Sequence, residues 1–191
     1  MRVFIAGAPG ALGTQLIPLL VANGHQVVGM TRTASKQDSL RALGARPVIA
    51  DALDPDQVAG AVGESGPAVI VRQLTALSGA MDMRHPDRFF ATTNRLRTEA
   101  TDHLLAADRA VGARRFAAQS YAGWPFARAD GPVKDETDPL DPDPPASLRH
   151  GSTRVARALL AWARAAAISG GITLHPVEVN GRPGAMVPEV T

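Results

Sequence analysis

The sequence predicts an α/β fold in which a doubly wound parallel sheet forms one domain, from residue 1 to about residue 180. First, short apolar runs of strand length alternate with segments of helical periodicity, which is typical of β-α-β units around a buried parallel sheet. Second, a glycine-rich turn follows the first apolar run, and single glycines end several predicted helices. Third, the 191 residues are 45% hydrophobic, which is enough to fill the core of one domain.

The first half of the chain predicts three strands, each followed by a helix. The strands are continuous apolar runs, and the first two helices stop at Gly24 and Gly44, the residue type that most often ends a helix. In chain order we predict strand Arg2–Ala6, helix Ala11–Ala22, strand Gln26–Thr31, helix Ser35–Leu43, strand Pro47–Ala50 and helix Pro55–Val62.

The second half predicts a fourth strand and then a long helix between Pro86 and Gly112, a proline before and a glycine after being usual helix boundaries. Apolar residues recur along this helix at helical spacing and should face the sheet. The Pro, Asp and Gly content of residues 121–147 predicts a loop or lid, and the chain after the sixth strand is predicted as loop, with 181–191 a C-terminal tail. The predicted elements are strand Ala68–Val71, helix Asp87–Val111, strand Arg115–Gln119, helix Leu148–Ala167 and strand Ile172–His175.

The composition restricts the classes of function. The formal net charge is +2 without a long block of Lys or Arg, so we expect no nucleic-acid partner. The absence of cysteine excludes disulfides, thiolate metal sites and cysteine nucleophiles, and the histidines lack metal-binding spacing. No apolar run reaches the ~20 residues that span a bilayer, and the apolar start is too short for a signal peptide. We therefore expect a cytoplasmic protein without membrane contact or a metal.

The turn after the first strand reads G-A-P-G-A-L-G and has the glycine spacing of a loop that binds the diphosphate of a dinucleotide. Gly7 permits the sharp turn off the strand, Gly10 lets the diphosphate approach the backbone, and Gly13 lets the helix pack closely on the strand. The N-terminus of the helix offers N–H groups and partial positive charge to the anion. The sequence thus predicts an NAD(P) site, and the alternative is a tight turn without a ligand. The predicted phosphate-loop residues are Gly7, Pro9, Gly10, Ala11, Leu12 and Gly13.

The end of the second strand bears on the choice between NAD and NADP. An acidic residue there would bind the ribose 2′-hydroxyl of NAD, but no carboxylate occurs between Thr31 and Asp38. Arg32, together with Lys36, can instead bind a 2′-phosphate. The sequence therefore favours NADP over NAD. The alternative for Arg32 is an ordinary solvated loop charge.

Two further strand ends supply candidate cofactor contacts. Asp51, followed by Ala52, ends the third strand and can accept a hydrogen bond from the adenine amino group. A helix N-cap or a surface turn is the alternative for the carboxylates of this segment. Thr75 and Ala76 follow the fourth strand and are expected near the middle of the cofactor.

These motifs resemble the extended short-chain dehydrogenase/reductase superfamily, in its NAD(P)-dependent epimerase/dehydratase branch. The matching segments are G-A-P-G-A-L-G, D-A-L-D, T-N-R-L-R-T-E-A-T-D-H-L-L-A-A and R-R-F-A-A-Q-S-Y-A-G. The resemblance implies a Rossmann-type sheet that binds NAD(P) at its carboxyl edge, a small-molecule substrate and, through pairing of long helices, a homodimer. It also implies substrate-facing Ser120 and a cofactor contact at Asn94.

The catalytic Tyr-x-x-x-Lys of the superfamily does not match this sequence. Tyr121 is the only tyrosine, and Pro125 stands where the lysine is needed. Tyr121 at the strand end, or His150 near the start of the predicted helix Leu148–Ala167, can donate the proton instead. Relatives are longer, so we also expect the C-terminal substrate lobe to be largely absent. The sequence predicts an oxidoreductase or epimerase for a carbonyl or sugar-type substrate, with a catalytically silent dinucleotide sensor or interaction module as the alternative.

Overall fold

The computed structural model describes residues 1–77, 86–119, 172–179 and 182–190. Its strands are β1 (Arg2–Ala6), β2 (Gln26–Thr31), β3 (Arg46–Ile49), β4 (Val69–Arg72), β5 (Arg115–Ala118), β6 (Ile172–Val179) and β7 (Arg182–Val190). Its helices are α1 (Ala11–Ala22), α2 (Gln37–Ala42), α3 (Pro55–Ser65) and α4 (Pro86–Val111), with a 3₁₀ turn at Ala34–Lys36 before α2.

Strands β1 to β5 form a parallel sheet in the order β3-β2-β1-β4-β5. β1 lies in the centre, where Ile5 is aligned with Gly29 of β2 on one side and with Val71 of β4 on the other. The strand order reverses between β1 and β4, because the chain first moves outward to β3 and then returns through α3 to β4. Doubly wound sheets bind their ligands beyond the carboxyl ends of the strands at such a reversal. The residues that follow β1 and β4 are therefore placed at the edge where a ligand binds.

Apolar side chains cover both faces of this sheet, which explains why its strands read as continuous apolar runs. One face packs against α1 and α2 through a cluster that contains Val3, Ile5 and Val27 of the strands, Ile17 of α1 and Leu40 of α2. Because side chains alternate along a strand, the intervening residues point to the opposite face. Large side chains buried on that opposite face are Phe4, Met30, Ile70 and Phe116.

Two arginines hold the C-terminal end of α3 at the amino edge of the sheet. The Arg2 guanidinium donates to the carbonyl oxygens of Ser65 (2.7 Å) and Gly66 (3.2 Å), and Arg46 Nη2 donates to Ser65 Oγ (3.3 Å). The last carbonyls of a helix have no partner within it, and cations are favoured at that end of the helix dipole. This contact ties the first residues of β1 to α3.

The predicted elements of this parallel sheet are confirmed, with shifts at their ends. β1, α1 and β2 have the predicted bounds, whereas β3, β4 and β5 are displaced or shortened by one residue. β4 includes Arg72, one residue beyond the predicted end of the strand, and Arg72 is only 1% exposed. The second predicted helix is divided into the 3₁₀ turn and α2, and α3 continues to Ser65.

The C-terminal strands correct two predictions. β6 pairs with β7 in an antiparallel, two-stranded sheet and is not part of the parallel sheet, and β7 occupies residues predicted as loop. Prolines usually disfavour a strand, but a strand with a single partner tolerates proline at positions where no ladder hydrogen bond is needed. The domain boundary predicted at residue 180 falls between these two strands and stays a prediction.

The chain divides into two compact units. One contains Met1–Ala76 and Glu99–Ala118, and the other contains Leu77–Thr98 and Gln119–Thr191. The predicted lid at residues 121–147 and the predicted helix Leu148–Ala167 lie outside the described residues.

Candidate functional site

The loop between β1 and α1 is held against β4 at Gly7. Gly7 has a φ of 87°, and a Cβ there would lie 2.7 Å from the carbonyl oxygen of Gln73. Within the loop, the Gly10 N–H donates to the Gly7 carbonyl oxygen at 3.0 Å. Both the backbone angle and the close approach exclude a side chain, so the first glycine of the motif has the turning role that the sequence predicts.

Gly13, the third glycine of the motif, has a close contact with the loop itself. A Cβ at Gly13 would collide with the carbonyl group of Ala8, 2.8 Å from its carbon. Ala8 is fully buried, and on its other side a Cβ at Gly29 of β2 would lie 2.9 Å from the Ala8 Cβ. The nearest contact of Gly13 is thus with the loop at Ala8, two residues after β1. Gly29, a fourth glycine of this packing, was not found from the sequence because its partner is distant in the chain.

The N-terminus of α1 presents free backbone donors beside Gly10. Gly10 is exposed and occupies the N-cap position with no side-chain cap, and the first turn of α1 holds no acidic residue. The first N–H groups of a helix have no acceptor within it. Here they belong to Ala11, Leu12 and Gly13. With half-buried Pro9 beside them, this end of the helix has the donors and the partial positive charge that bind an anion.

Two positive charges follow the carboxyl end of β2. Thr31 is buried, and its hydroxyl oxygen accepts a hydrogen bond from the Thr33 N–H at 3.1 Å, which fixes the turn. Arg32 and Lys36 are both exposed, and neither has an ion-pair partner within the described part of the chain. The nearby Asp38 carboxylate is bound instead to Arg41 at 2.6 Å. The net charge of this segment is therefore positive.

A hydrogen-bonded turn from Asp51 to Asp54 follows β3. Asp51 Oδ1 accepts from the Leu53 N–H (2.9 Å), and the Asp51 N–H donates to Gln57 Oε1 (3.0 Å). The carbonyl oxygen of Ala52, which is buried, lies 3.1 Å from His103 Nδ1 of α4. The second carboxylate oxygen of Asp51 has no hydrogen bond to the described residues. The turn thus holds Asp51 in place and leaves one acceptor for a ligand.

Asp54 has a different role from Asp51. Its carboxylate caps α3 by accepting from the N–H groups of Asp56 (3.0 Å) and Gln57 (3.1 Å), which confirms the N-cap alternative for this residue. The hydrogen bond from the Gln57 backbone is the main cause that lowers the pKa of Asp54.

The residues after β4 complete this edge. The Gln73 N–H donates to the Ala6 carbonyl oxygen at 2.8 Å and extends the pairing with β1. Leu74 is buried, Thr75 is exposed and Ala76 is half-buried. The side-chain Oε1 of Gln73 is buried and has no hydrogen-bond partner within the described part of the chain.

The structure therefore brings together, in one unit, the residues predicted at the ends of β1, β2, β3 and β4. Asn94 of α4 is half-buried and belongs to the other unit, so its cofactor contact stays a prediction. The predicted catalytic residues Ser120, Tyr121 and His150 lie outside the described residues. Sequence reasoning missed Gln57 and His103, which fix the acidic turn, because their partners are defined only by the fold.

A parallel sheet whose order reverses at β1, with a glycine loop and an uncapped helix N-terminus at the reversal, defines a dinucleotide-binding α/β protein. Comparison with protein families gives a match of residues 7–166 to the family described as NAD(P)H-binding. The chain belongs to this NAD(P)H-binding family, in the extended short-chain dehydrogenase/reductase superfamily, and the resemblance found in the sequence is confirmed.

Two curated relatives are similar over three quarters of the chain. A 3-diazoavenalumate denitrifying reductase of a Streptomyces species is 47% identical over 145 residues, which are 76% of this chain and 45% of the relative. A UDP-glucose 4-epimerase of Mycolicibacterium smegmatis is 29% identical over 150 residues, 76% of this chain and 46% of the relative. The chain thus spans about half the length of these relatives.

Solved structures share the fold at low sequence identity. The UDP-glucose 4-epimerase of Thermotoga maritima, solved with UDP-glucose, superposes with a TM-score of 0.70 at 19% identity over 86% of this chain and 52% of the epimerase. The Thermus thermophilus UDP-glucose 4-epimerase, solved with NAD, gives a TM-score of 0.70 at 22% identity over 86% and 51% of the two chains. None of the helices described here is long and apolar enough to cross a membrane.

Proposed function

We propose that this chain binds NADP(H) along the carboxyl edge of its sheet and is an oxidoreductase or epimerase for a carbonyl or sugar-type substrate. The observation that carries the proposal is the uncapped N-terminus of α1 beside Gly10. Among the described residues, a Cβ at Gly10 would meet only the Gly7 carbonyl oxygen, at 3.1 Å, which leaves space for a diphosphate on the outer side of the loop. The residues present therefore fit the cofactor.

The ends of β2 and β3 would bind the adenosine half of the cofactor. Asp51 would accept the adenine amino group through its second carboxylate oxygen, since the first is used by Leu53. Arg32 and Lys36 would bind the 2′-phosphate, because both are exposed and the nearby Asp38 is already paired with Arg41. This charge arrangement supports NADP over NAD, although four of the structures similar to this chain were solved with NAD.

The residues after β4 and β5 would contact the nicotinamide half of the cofactor and the substrate. Bound nicotinamide supplies or accepts a hydride at its C4 atom. Thr75 and Ala76 would lie along the middle of the cofactor, and Ser120 would hold the substrate oxygen. Tyr121 or His150 would move the proton at that oxygen, with the contribution of about 10²–10⁴-fold that a positioned acid provides. The similarity to a curated reductase at 47% identity supports a reductive direction.

The second candidate is a catalytically silent dinucleotide sensor. It is favoured by one sequence observation: the only tyrosine, Tyr121, is followed four residues later by Pro125 instead of lysine. A sensor would bind NADP(H) without turnover. The cytoplasmic location and the homodimer remain predictions that neither candidate requires.

Fluorescence titration with NADPH and NADH tests the binding proposal. We expect micromolar binding of NADPH and weaker binding of NADH, and absence of binding by either would refute the proposal. Turnover is then measured as NADPH oxidation with a panel of ketones, aldehydes and sugar nucleotides. Loss of turnover in Tyr121→Phe with unchanged NADPH affinity supports Tyr121 as the acid. Binding without turnover on the whole panel favours the sensor.

A further inference from the structure

We propose that Gln73 is a cofactor-binding residue whose side-chain oxygen accepts a hydrogen bond from a ribose hydroxyl of the bound dinucleotide. The inference rests on the dinucleotide binding proposed above and adds a contact at the end of β4. Gln73 stands directly between β4 and the segment that contains Thr75 and Ala76.

The backbone of Gln73 is fixed against the phosphate loop from two sides. Its N–H donates to the Ala6 carbonyl oxygen at 2.8 Å, immediately before Gly7. Its own carbonyl oxygen lies so close to Gly7 that a Cβ there would be 2.7 Å away. The side chain therefore starts from a defined point beside the glycine loop.

The alternation of side chains along β4 places Gln73 on the face of the sheet that α1 covers. Val71, two residues earlier, packs against the cluster that contains Ile17 of α1. Residues two apart in an extended chain share a face. Because α1 begins at the glycine loop, the Gln73 amide is on the same side of the sheet as the N-terminus of α1.

The amide of Gln73 carries an unsatisfied acceptor. Oε1 is buried and has no hydrogen-bond partner among the residues that the structure describes, a condition that most buried polar atoms in proteins avoid and that lowers the stability of the folded state. Its partner must be a donor. The diphosphate has none at neutral pH, and the adenine amino group is assigned to Asp51 at the other end of the site. The remaining donors are the ribose hydroxyls and the nicotinamide carboxamide, and the ribose hydroxyls are the nearer to the loop because they flank the diphosphate.

The test is a pair of measurements on Gln73→Met, which keeps the length of the side chain and removes its hydrogen bonds. We expect the Kd for NADPH to rise about tenfold, the loss of one hydrogen bond. We also expect the Tm of the protein without nucleotide to rise, because the unsatisfied acceptor is removed. Gln26→Met is the matched control: Gln26 is exposed at the start of β2, and its substitution should leave the Kd unchanged.

A second variant tests the proposal if the Gln73→Met protein does not fold. Gln73→Leu removes the same acceptor with a shorter apolar side chain, so the Kd should again rise about tenfold. An unchanged Kd in either variant overturns the inference while wild-type binding leaves the proposed function intact. A lower Tm together with a higher Kd in Gln73→Met also overturns it, because that result indicates a structural role. Absence of NADPH and NADH binding by the wild type refutes the proposed function itself.

Discussion

Replacement of Arg32 by alanine should weaken the binding of NADPH and leave the binding of NADH nearly unchanged. Arg32 is exposed, so the attraction between its charge and a 2′-phosphate acts in a medium close to water. At about 4 Å in water, two unit charges attract each other by about 1 kcal/mol. A phosphate of about −1.5 to −2 charge then gives about 1.5–2 kcal/mol, or roughly a 10–30-fold rise in Kd.

The assay is a fluorescence titration of both nucleotides at two salt concentrations. Because the Debye length falls from about 10 Å at 0.1 M to about 3 Å at 1 M salt, the preference of the wild type for NADPH should itself diminish at high salt. Arg109→Ala is the control, since Arg109 is also exposed but lies in the last turn of α4. Equal losses for NADPH and NADH, or an equal loss in Arg109→Ala, would refute the assignment of the 2′-phosphate to Arg32.

Three further predictions concern the frame of the site. Arg2→Met should lower the Tm by about 2–8 °C, because about 1–2 kcal/mol of hydrogen bonding to the end of α3 is lost. Asp54→Asn should lower the Tm at neutral pH, and this difference should vanish on acidification. The pKa of Asp54 lies below its ordinary value of 3.8 in the folded protein, so its contribution is present above that value and is lost as the pH falls through the folded pKa. His103→Ala should raise the Kd for NADPH about 3–10-fold by releasing the Ala52 carbonyl, and His103→Asn should restore much of the affinity.

Each of these three predictions has a control or an outcome that would contradict it. Arg109→Met changes another arginine, exposed in the last turn of α4, and a Tm loss as large as that of Arg2→Met would argue against a specific cap. A pH-independent Tm difference in Asp54→Asn would mean that charge does not contribute to the cap. For His103, the discriminating readout is a cofactor with hypoxanthine in place of adenine. If His103→Ala weakens the binding of NADPH and of the hypoxanthine cofactor equally, His103 does not act through the adenine-binding turn.

Local signals predicted the parts of the fold that depend on local chemistry. The glycines that turn the chain or stop a helix, and the apolar runs between them, were sufficient for β1, α1 and β2. The ends of β3, β4 and β5 depend on pairing with neighbouring strands. Arg72 illustrates this, since its alignment with Ala6 and Ala118 keeps a charged residue inside the sheet.

The sequence predicted which residues lie at the strand ends of the candidate site. It did not predict the contacts that hold those residues in place. Spacing identified Gly7, Gly10 and Gly13, but it does not show that Gly13 contacts Ala8 or that Ala8 in turn requires Gly29. These contacts join residues that only the folded sheet brings together. The antiparallel pairing of β6 and β7 was not predicted, because prolines weaken the strand signal of the β7 residues and β6 was predicted only as far as His175.

The division of the chain has a consequence for how such a protein diversifies. The groups assigned to diphosphate, adenine and 2′-phosphate come from the first 76 residues, which lie within one unit, and Ser120, Tyr121 and His150 come from later in the chain. Under the proposed function, mutations at Arg32 and Lys36 would change the choice between NADP and NAD without altering Ser120, Tyr121 or His150. Changes after residue 119 would in turn alter the chemistry while the proposed nucleotide-binding residues stay the same. The choice of cofactor and the choice of substrate would then be able to change independently during the evolution of such proteins.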